Sequence, residues 1–134
     1  MDNTNKIWKY FLYGLLGFHA LYQLGFGLMT WINPQSLEAP YGFDAKAAPQ
    51  IYLIVLMLSF GQLFLTAMAI LGIYWVSQNR QSGALLGMLL GCYFLCLGIA
   101  GIIAVDQRVT LFIDVARGIL TIVSAFMVFK NTKN

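Results

Sequence analysis

Long apolar runs alternate with short polar breaks along the whole chain. Four of the runs reach the roughly 20 apolar residues that one helical membrane crossing needs. They cover Ile7–Trp31, Ile51–Val76, Gly83–Val105 and Val109–Phe129. At a rise of ~1.5 Å per residue each run is long enough to span a bilayer with modest tilt. The pattern predicts an all-α protein, with a single transmembrane domain over 1–134 that folds as an antiparallel bundle of four transmembrane helices.

The polar breaks predict how the helices connect. The first break, 32–50, is the longest, contains every proline of the chain and is the predicted outer loop. The other breaks, "SQNRQS" and "DQR", are so short that they force the second, third and fourth helices to be antiparallel neighbours.

Composition narrows the class of protein. The chain has 134 residues, of which 60% are hydrophobic and only 10% are charged. A soluble chain of this size could not hide so much apolar surface, because most of a small protein's surface faces water. We therefore expect a multi-pass protein surrounded by membrane lipids. The first run is longer than the apolar core of a typical signal peptide and no cleavage motif follows it, so we expect a retained span.

The lysines and arginines predict the orientation. With four crossings, both termini and the second break lie on one side, which carries five basic residues against two on the other. Basic residues accumulate on the cytoplasmic side. The topology is therefore predicted as N-in/C-in in the bacterial inner (plasma) membrane, with both termini cytoplasmic. Trp8, Trp31 and Trp75 fall at predicted span boundaries, where tryptophan side chains anchor at headgroup level.

Several classes of function are excluded by what the sequence lacks. It has no basic patch interleaved with aromatic residues, so we expect no nucleic-acid partner. It carries no metal-binding set, nucleophile elbow or phosphate loop, so we predict no metal, no cofactor and no catalytic residues. Cys92 and Cys96 lie one turn apart and are interpreted as small core residues.

Glycines indicate where helices approach closely. Gly83, Gly87 and Gly91 form two overlapping GxxxG patterns in the third run, and we expect a helix-packing surface there. Gly14 and Gly17 are expected to act similarly in the first run. Whether the partner helix belongs to the same chain, to a homo-oligomer or to a larger membrane complex is left open.

Polar residues inside the spans define the candidate ligand-binding site. In the fourth run the i,i+3 pair of Asp114 and Arg117 lies on a single polar stripe, which must face the bundle interior because charge is costly in lipid. The other members of this stripe are Thr110, Thr121 and Ser124. His19, Gln23 and Gln62 are predicted to lie at a similar depth, between the midplane and the outer surface. Ser59, Tyr93 and Cys96 fall in the same predicted layer.

Two interpretations of this layer stay open. In the first, Asp114 and Arg117 neutralise each other and hold the helices together. In the second, the layer lines a pocket that opens outward and binds an amphipathic small molecule, because ionisable groups inside a membrane are candidates for function. Arg117 would then bind a carboxylate, phosphate or quinone oxygen, Asp114 would orient its guanidinium, and His19 would donate or accept a proton.

The order of features resembles the DoxX-like group of small bacterial four-helix membrane proteins. The resemblance is carried by "YQLGFGLMTWINP", by Tyr41 and Gly42 in the outer loop, by "SFGQLFLTAMAILGIYW" and by Asp114. It implies a compact four-helix bundle and no particular activity. The chain is also more weakly similar to the scaffold and isomerase group of sterol biosynthesis. The isomerases of that group use acidic residues inside the membrane, and Asp114 is the only candidate for such a residue in this chain.

Together these patterns predict a membrane protein that binds an amphipathic small molecule or lipid of quinone-, sterol- or fatty-acid-like character, rather than an enzyme. The main alternative is an accessory or scaffold subunit of a larger membrane complex. The third possibility is a small transporter. Alternating access would then require a homo-oligomer, because one copy of the chain has no inverted repeat.

Overall fold

A computed structural model describes residues 3–33, 35, 49–104 and 108–132. It contains four α-helices, α1 (Asn3–Ile32), α2 (Pro49–Ser77), α3 (Gln81–Ala104) and α4 (Arg108–Asn131), and no strand within those ranges. The all-α prediction is confirmed, and each helix exceeds its predicted span by a few residues at one or both ends. The predicted outer loop 32–50 lies largely outside the described residues.

All four helices are long and apolar enough to cross a membrane. The candidate spans are Asn5–Ile32, Leu53–Ser77, Gln81–Ile103 and Phe112–Asn131. Each helix buries only a narrow stripe of its surface and exposes many large apolar side chains, among them Ile7, Phe64, Leu89 and Phe112. Such surfaces are stable in lipid and not in water, because lipid tails are as apolar as these side chains. The chain is thus a multi-pass membrane protein.

The helices are grouped into two compact units, and the prediction of one domain over 1–134 stays a prediction. The first unit contains residues 1–18 and 68–134, and the second contains residues 19–67. The core of the first unit is formed by small and aliphatic side chains around one phenylalanine: Leu12, Leu16, Val76, Ala84, Leu90, Phe94, Ala125 and Val128.

Glycines bring α3 against its neighbours in the first unit. A Cβ built on Gly83 would lie 2.5 Å from the backbone nitrogen of Val76 on α2, and one on Gly91 would lie 2.9 Å from the carbonyl oxygen of Gly118 on α4. Helices this close must have glycine at the contact. Gly87, farther toward the start of α3, faces Ala125, farther along α4. Residue numbers therefore rise along α3 as they fall along α4, so these two helices are antiparallel, as predicted.

The turn between α2 and α3 is closed by backbone hydrogen bonds. Asn79 has a φ of 57°, in the left-handed region, and the N–H of Arg80 donates to the carbonyl of Trp75 at 2.9 Å. This is how a helix commonly ends, with asparagine as one of the few residues that tolerate the conformation.

The second unit is a helical hairpin made of the end of α1 and the start of α2. A Cβ on Gly27 would lie 3.2 Å from Gln62 Cβ and from Leu63. One to two turns earlier on α1, the carbonyl of Ala20 lies 3.5 Å from the hydroxyl of Thr66. The two segments are therefore antiparallel as well.

One prediction about small residues is wrong, and another stays a prediction. Cys92 and Cys96 are exposed rather than part of the core, because the buried face of α3 is occupied by Leu90, Gly91 and Phe94. Gly14 and Gly17 have no described atom within 4 Å of a built Cβ, so they do not mediate close packing within the described part of the chain. Close packing of these glycines against a helix of another chain stays a prediction.

Candidate functional site: a buried ion pair on an apolar helix

Arg117 and Asp114 form an ion pair one helical turn apart on α4. The distance from Arg117 Nη2 to Asp114 Oδ1 is 2.5 Å, and the two side chains are 7% and 13% exposed. The i,i+3 spacing places both on one face of the helix. The pair lies inside the candidate span Phe112–Asn131, where an uncompensated charge would be costly.

Aromatic rings fix the guanidinium from other directions. Its central carbon lies 4.0 Å from the ring centroid of Phe94 on α3 and 5.8 Å from that of Phe18 on α1. Phe94 is fully buried, whereas Phe18 is 50% exposed. A cation over an aromatic face is attracted by the ring quadrupole, most strongly where water is excluded. These contacts restrain the orientation of the Arg117 guanidinium. Through Phe18, the guanidinium lies close to the exposed surface of the first unit.

Two further residues of the polar stripe of α4 are buried as predicted. Thr121 and Ser124 are both fully buried. Their hydroxyls donate to carbonyls of their own helix, to Arg117 O and Leu120 O, each at 2.7 Å. Such bonds satisfy the hydroxyl donor locally. These two hydroxyls are therefore satisfied within α4. The side chain of Thr110, also predicted on this stripe, lies outside the described residues.

The other predicted site residues lie in the second unit. His19 and Gln23 are i,i+4 on α1 and are buried, at 1% and 3% exposure. Gln62 lies on α2, where its Cβ faces Gly27 of α1. The Oε1 atom of Gln62 is buried and has no hydrogen-bond partner among the described residues. A buried acceptor without a donor is costly, so this atom is a candidate contact for a polar ligand atom.

The structure thus pairs Asp114 with Arg117 in one unit and places His19, Gln23 and Gln62 in the other. That all five line one pocket stays a prediction. Of the further residues assigned to the same layer, Ser59 is fully buried and donates to Leu56 O at 2.8 Å. Tyr93 and Cys96 are exposed, so they do not belong to the buried polar residues, and their predicted depth stays a prediction.

Phe94 is the site residue that the sequence pattern missed. It stands in an apolar run of α3 with nothing to distinguish it from its neighbours. Its role depends on the register of α3 against α4, which is fixed by Gly91 facing Gly118 and Ile122. The GxxxG pattern marks the packing face of α3, on which Phe94 lies one turn from Gly91, but the pattern does not give the alignment of α3 with α4 that brings Phe94 to Arg117.

Within the described residues, no cluster of three or more metal-ligating side chains occurs. The arrangement can offer a planar, oriented guanidinium to a polar group in an apolar environment, with a carboxylate beside it.

The chain matches no family model, no curated protein and no solved structure.

Proposed function

We propose that this membrane protein binds the polar head of an amphipathic small molecule at the Asp114–Arg117 pair, with the molecule's apolar part in the membrane. The observation that carries the proposal is the double restraint on Arg117. Its guanidinium is paired with a carboxylate at 2.5 Å and stacked on a buried ring at 4.0 Å. Arginine is suited to such recognition because its donors form a rigid planar fork.

The alternative, a purely structural pair, accounts less well for this site. A buried ion pair is often no more stabilising than apolar residues of the same volume. Helix packing in the same unit is already achieved by glycines, at Gly83 against α2 and at Gly91 against α4. Intramembrane charges face the protein interior and mark ligand or ion pathways. The half-exposed Phe18 beside Arg117 offers a route from the lipid.

Charge balance indicates the kind of head group. Asp114 already neutralises Arg117, so a full anion would leave a net negative charge in a medium of low dielectric constant. A neutral carbonyl or hydroxyl, or a protonated acid, avoids this cost while accepting a charge-assisted hydrogen bond from arginine. The proposed ligand is therefore quinone-like or sterol-like, or a fatty acid in its protonated form, and we propose binding rather than catalysis.

A second candidate function is that of an accessory subunit of a membrane complex. It is favoured by Gly14 and Gly17 on α1, which leave space for an approaching helix, because no described atom lies within 4 Å of a Cβ built on either. Small residues at such positions let a partner helix approach closely in lipid. The resemblance to DoxX-like proteins is compatible with both functions.

Native mass spectrometry of protein extracted gently from membranes tests the proposal. Wild type is compared with the double variant Asp114→Leu/Arg117→Leu, which removes both charges together and so leaves neither one buried alone. Arg80→Leu serves as the control, because Arg80 is an exposed basic residue outside the candidate spans. We expect a co-purifying amphiphile of defined mass in wild type and in Arg80→Leu, and its loss from the double variant.

The proposal would be contradicted if the double variant retained, in equal amount, every amphiphile that co-purifies with wild type and with Arg80→Leu. A folded, ligand-free wild type that retains a second protein would favour the accessory subunit, most clearly if Gly14→Leu releases that protein.

A further inference from the structure

The helix ends of the first unit that lie far from Arg117 form a second polar site. It is built from the start of α1, the turn between α2 and α3, and the end of α4. Asn5 and Lys9, one turn apart on α1, are only 6% and 7% exposed. Lys9 Nζ donates to Asn79 Oδ1 in the turn, and Asn5 Nδ2 lies 3.4 Å from the carbonyl oxygen of Asn131.

The buried charge of Lys9 is not compensated by an acidic residue in the described part of the chain. Asp114 is the one acidic side chain described there, and its position on α4 is about 25 Å along the helix from Asn131 at ~1.5 Å per residue. An ammonium group has three N–H donors. Among the described residues, only the neutral amide of Asn79 accepts from it. A buried cation is costly without an anionic partner.

Asn5 needs a hydrogen-bond donor, whereas Lys9 needs an anionic acceptor. Its Oδ1 atom is buried and has no hydrogen-bond donor among the described residues. The site therefore combines a cation that needs an anion with an acceptor that needs a donor, on the same face of one helix.

Exposed basic residues are next in sequence to three residues of this site, Asn5, Asn79 and Asn131. Lys6 and Arg80 are exposed, and so is Lys130, which precedes Asn131 on α4. Basic residues at the end of membrane spans are attracted to anionic lipids at the membrane surface. Asn79 is exposed too, so the turn side of the site is open to the membrane interface.

We infer that this site binds the headgroup of an anionic glycerophospholipid that carries hydroxyl groups, with the phosphate on Lys9 and a headgroup hydroxyl donating to Asn5. The phosphate satisfies the ammonium through a charge-assisted hydrogen bond, and the hydroxyl satisfies the buried amide oxygen. This site is separate from the Arg117 site and does not depend on the function proposed above.

The test measures lipid binding to the purified full-length protein in detergent by native mass spectrometry. Dioleoyl-phosphatidylglycerol and dioleoyl-phosphatidylcholine are titrated separately. Lys9→Gln is the informative variant, because a glutamine amide can still donate to Asn79 while the charge is removed. Lys6→Gln is the matched control, since it removes the same charge from an exposed position on the same helix. Circular dichroism and a Lys9→Arg variant show whether the fold is kept.

We expect wild type to bind phosphatidylglycerol more tightly than phosphatidylcholine. Lys9→Gln should weaken phosphatidylglycerol binding about tenfold, as for loss of a buried charge-assisted hydrogen bond. Lys6→Gln should weaken it by less than about fivefold, as for one surface charge. Lys9→Arg should retain tight binding, and the double variant at Asp114 and Arg117 should bind as wild type does.

Three results would overturn the inference. They are equal affinity for the two lipids, equal weakening by Lys6→Gln and Lys9→Gln in folded proteins, and displacement of phosphatidylglycerol by inorganic phosphate at millimolar concentration. The last would show a site for free phosphate rather than for a lipid headgroup.

Discussion

At the scale of single residues, the main feature is the coupling of Asp114 and Arg117. The pairing could be predicted from the sequence because i,i+3 spacing on a helix fixes which side chains meet. Phe94 could not be predicted in the same way. Its contact with the guanidinium at 4.0 Å depends on how two helices are aligned, and no local pattern in an all-apolar run encodes that alignment.

The coupling predicts a non-additive effect on stability. Asp114→Leu leaves the charge of Arg117 buried without a partner, which should lower the free energy of unfolding by about 3 kcal/mol. The double variant Asp114→Leu/Arg117→Leu should recover most of that loss, because both charges are gone and leucine suits the surroundings. The double-mutant cycle compares wild type, Asp114→Leu, Arg117→Leu and the double variant, each purified and unfolded by sodium dodecyl sulfate with circular dichroism as the readout. Additive losses would show that the two residues stabilise the protein independently.

At the scale of helices, glycine positions decide which surfaces touch. The GxxxG pattern of α3 indicated a packing face, and the structure places that face against two partners, α2 at Gly83 and α4 at Gly91. The partner glycines, Gly72 and Gly118, do not form such a pattern and were missed. Gly14 and Gly17, three residues apart, have no described atom within 4 Å of a built Cβ. Spacing identifies a surface that could pack closely, whereas the partner that fills it is set by the tertiary arrangement.

This contrast gives a matched pair of variants. A Cβ at residue 91 would lie 2.7 Å from Ile122 Cγ1 and 2.9 Å from two backbone atoms of α4. Gly91→Ala should therefore lower the free energy of unfolding by about 1 to 3 kcal/mol, as overpacking does. Gly14→Ala should leave it unchanged or raise it slightly, because alanine is the better helix former. Thermal unfolding in detergent compares the two, and a stable Gly91→Ala protein would contradict the close contact.

The cysteines of α3 provide a second test at this scale. Cys92 and Cys96 are exposed, so each Cys→Ala variant should change the free energy of unfolding by less than about 0.5 kcal/mol. A buried cysteine would show a larger loss. A lipid-soluble maleimide should label both thiols in membranes, whereas failure to label would indicate that another chain covers this face of α3.

At the scale of the whole molecule, composition alone indicated a membrane protein, and the four apolar helices confirm this class. Hydropathy predicts spans well because backbone groups in lipid must be hydrogen-bonded within the helix. The orientation rests on the distribution of basic residues and stays a prediction. A C-terminal fusion to green fluorescent protein should fluoresce, and a fusion to alkaline phosphatase should be inactive, if both termini are cytoplasmic. The opposite pair of results would invert the topology.

The central claim is that Arg117 holds a ligand, and photo-crosslinking beside it is the most direct test. A photoreactive benzoylphenylalanine replaces Phe18, whose ring lies 5.8 Å from the guanidinium carbon. The control replaces Phe126, which is similarly exposed. Phe126 lies more than two helical turns from Arg117 along α4. After irradiation of intact membranes, we predict an adduct of one defined mass at residue 18. That adduct should be absent at residue 126 and in the Asp114→Leu/Arg117→Leu background. The same bulk-lipid adducts at both positions, unchanged by loss of the ion pair, would contradict the account.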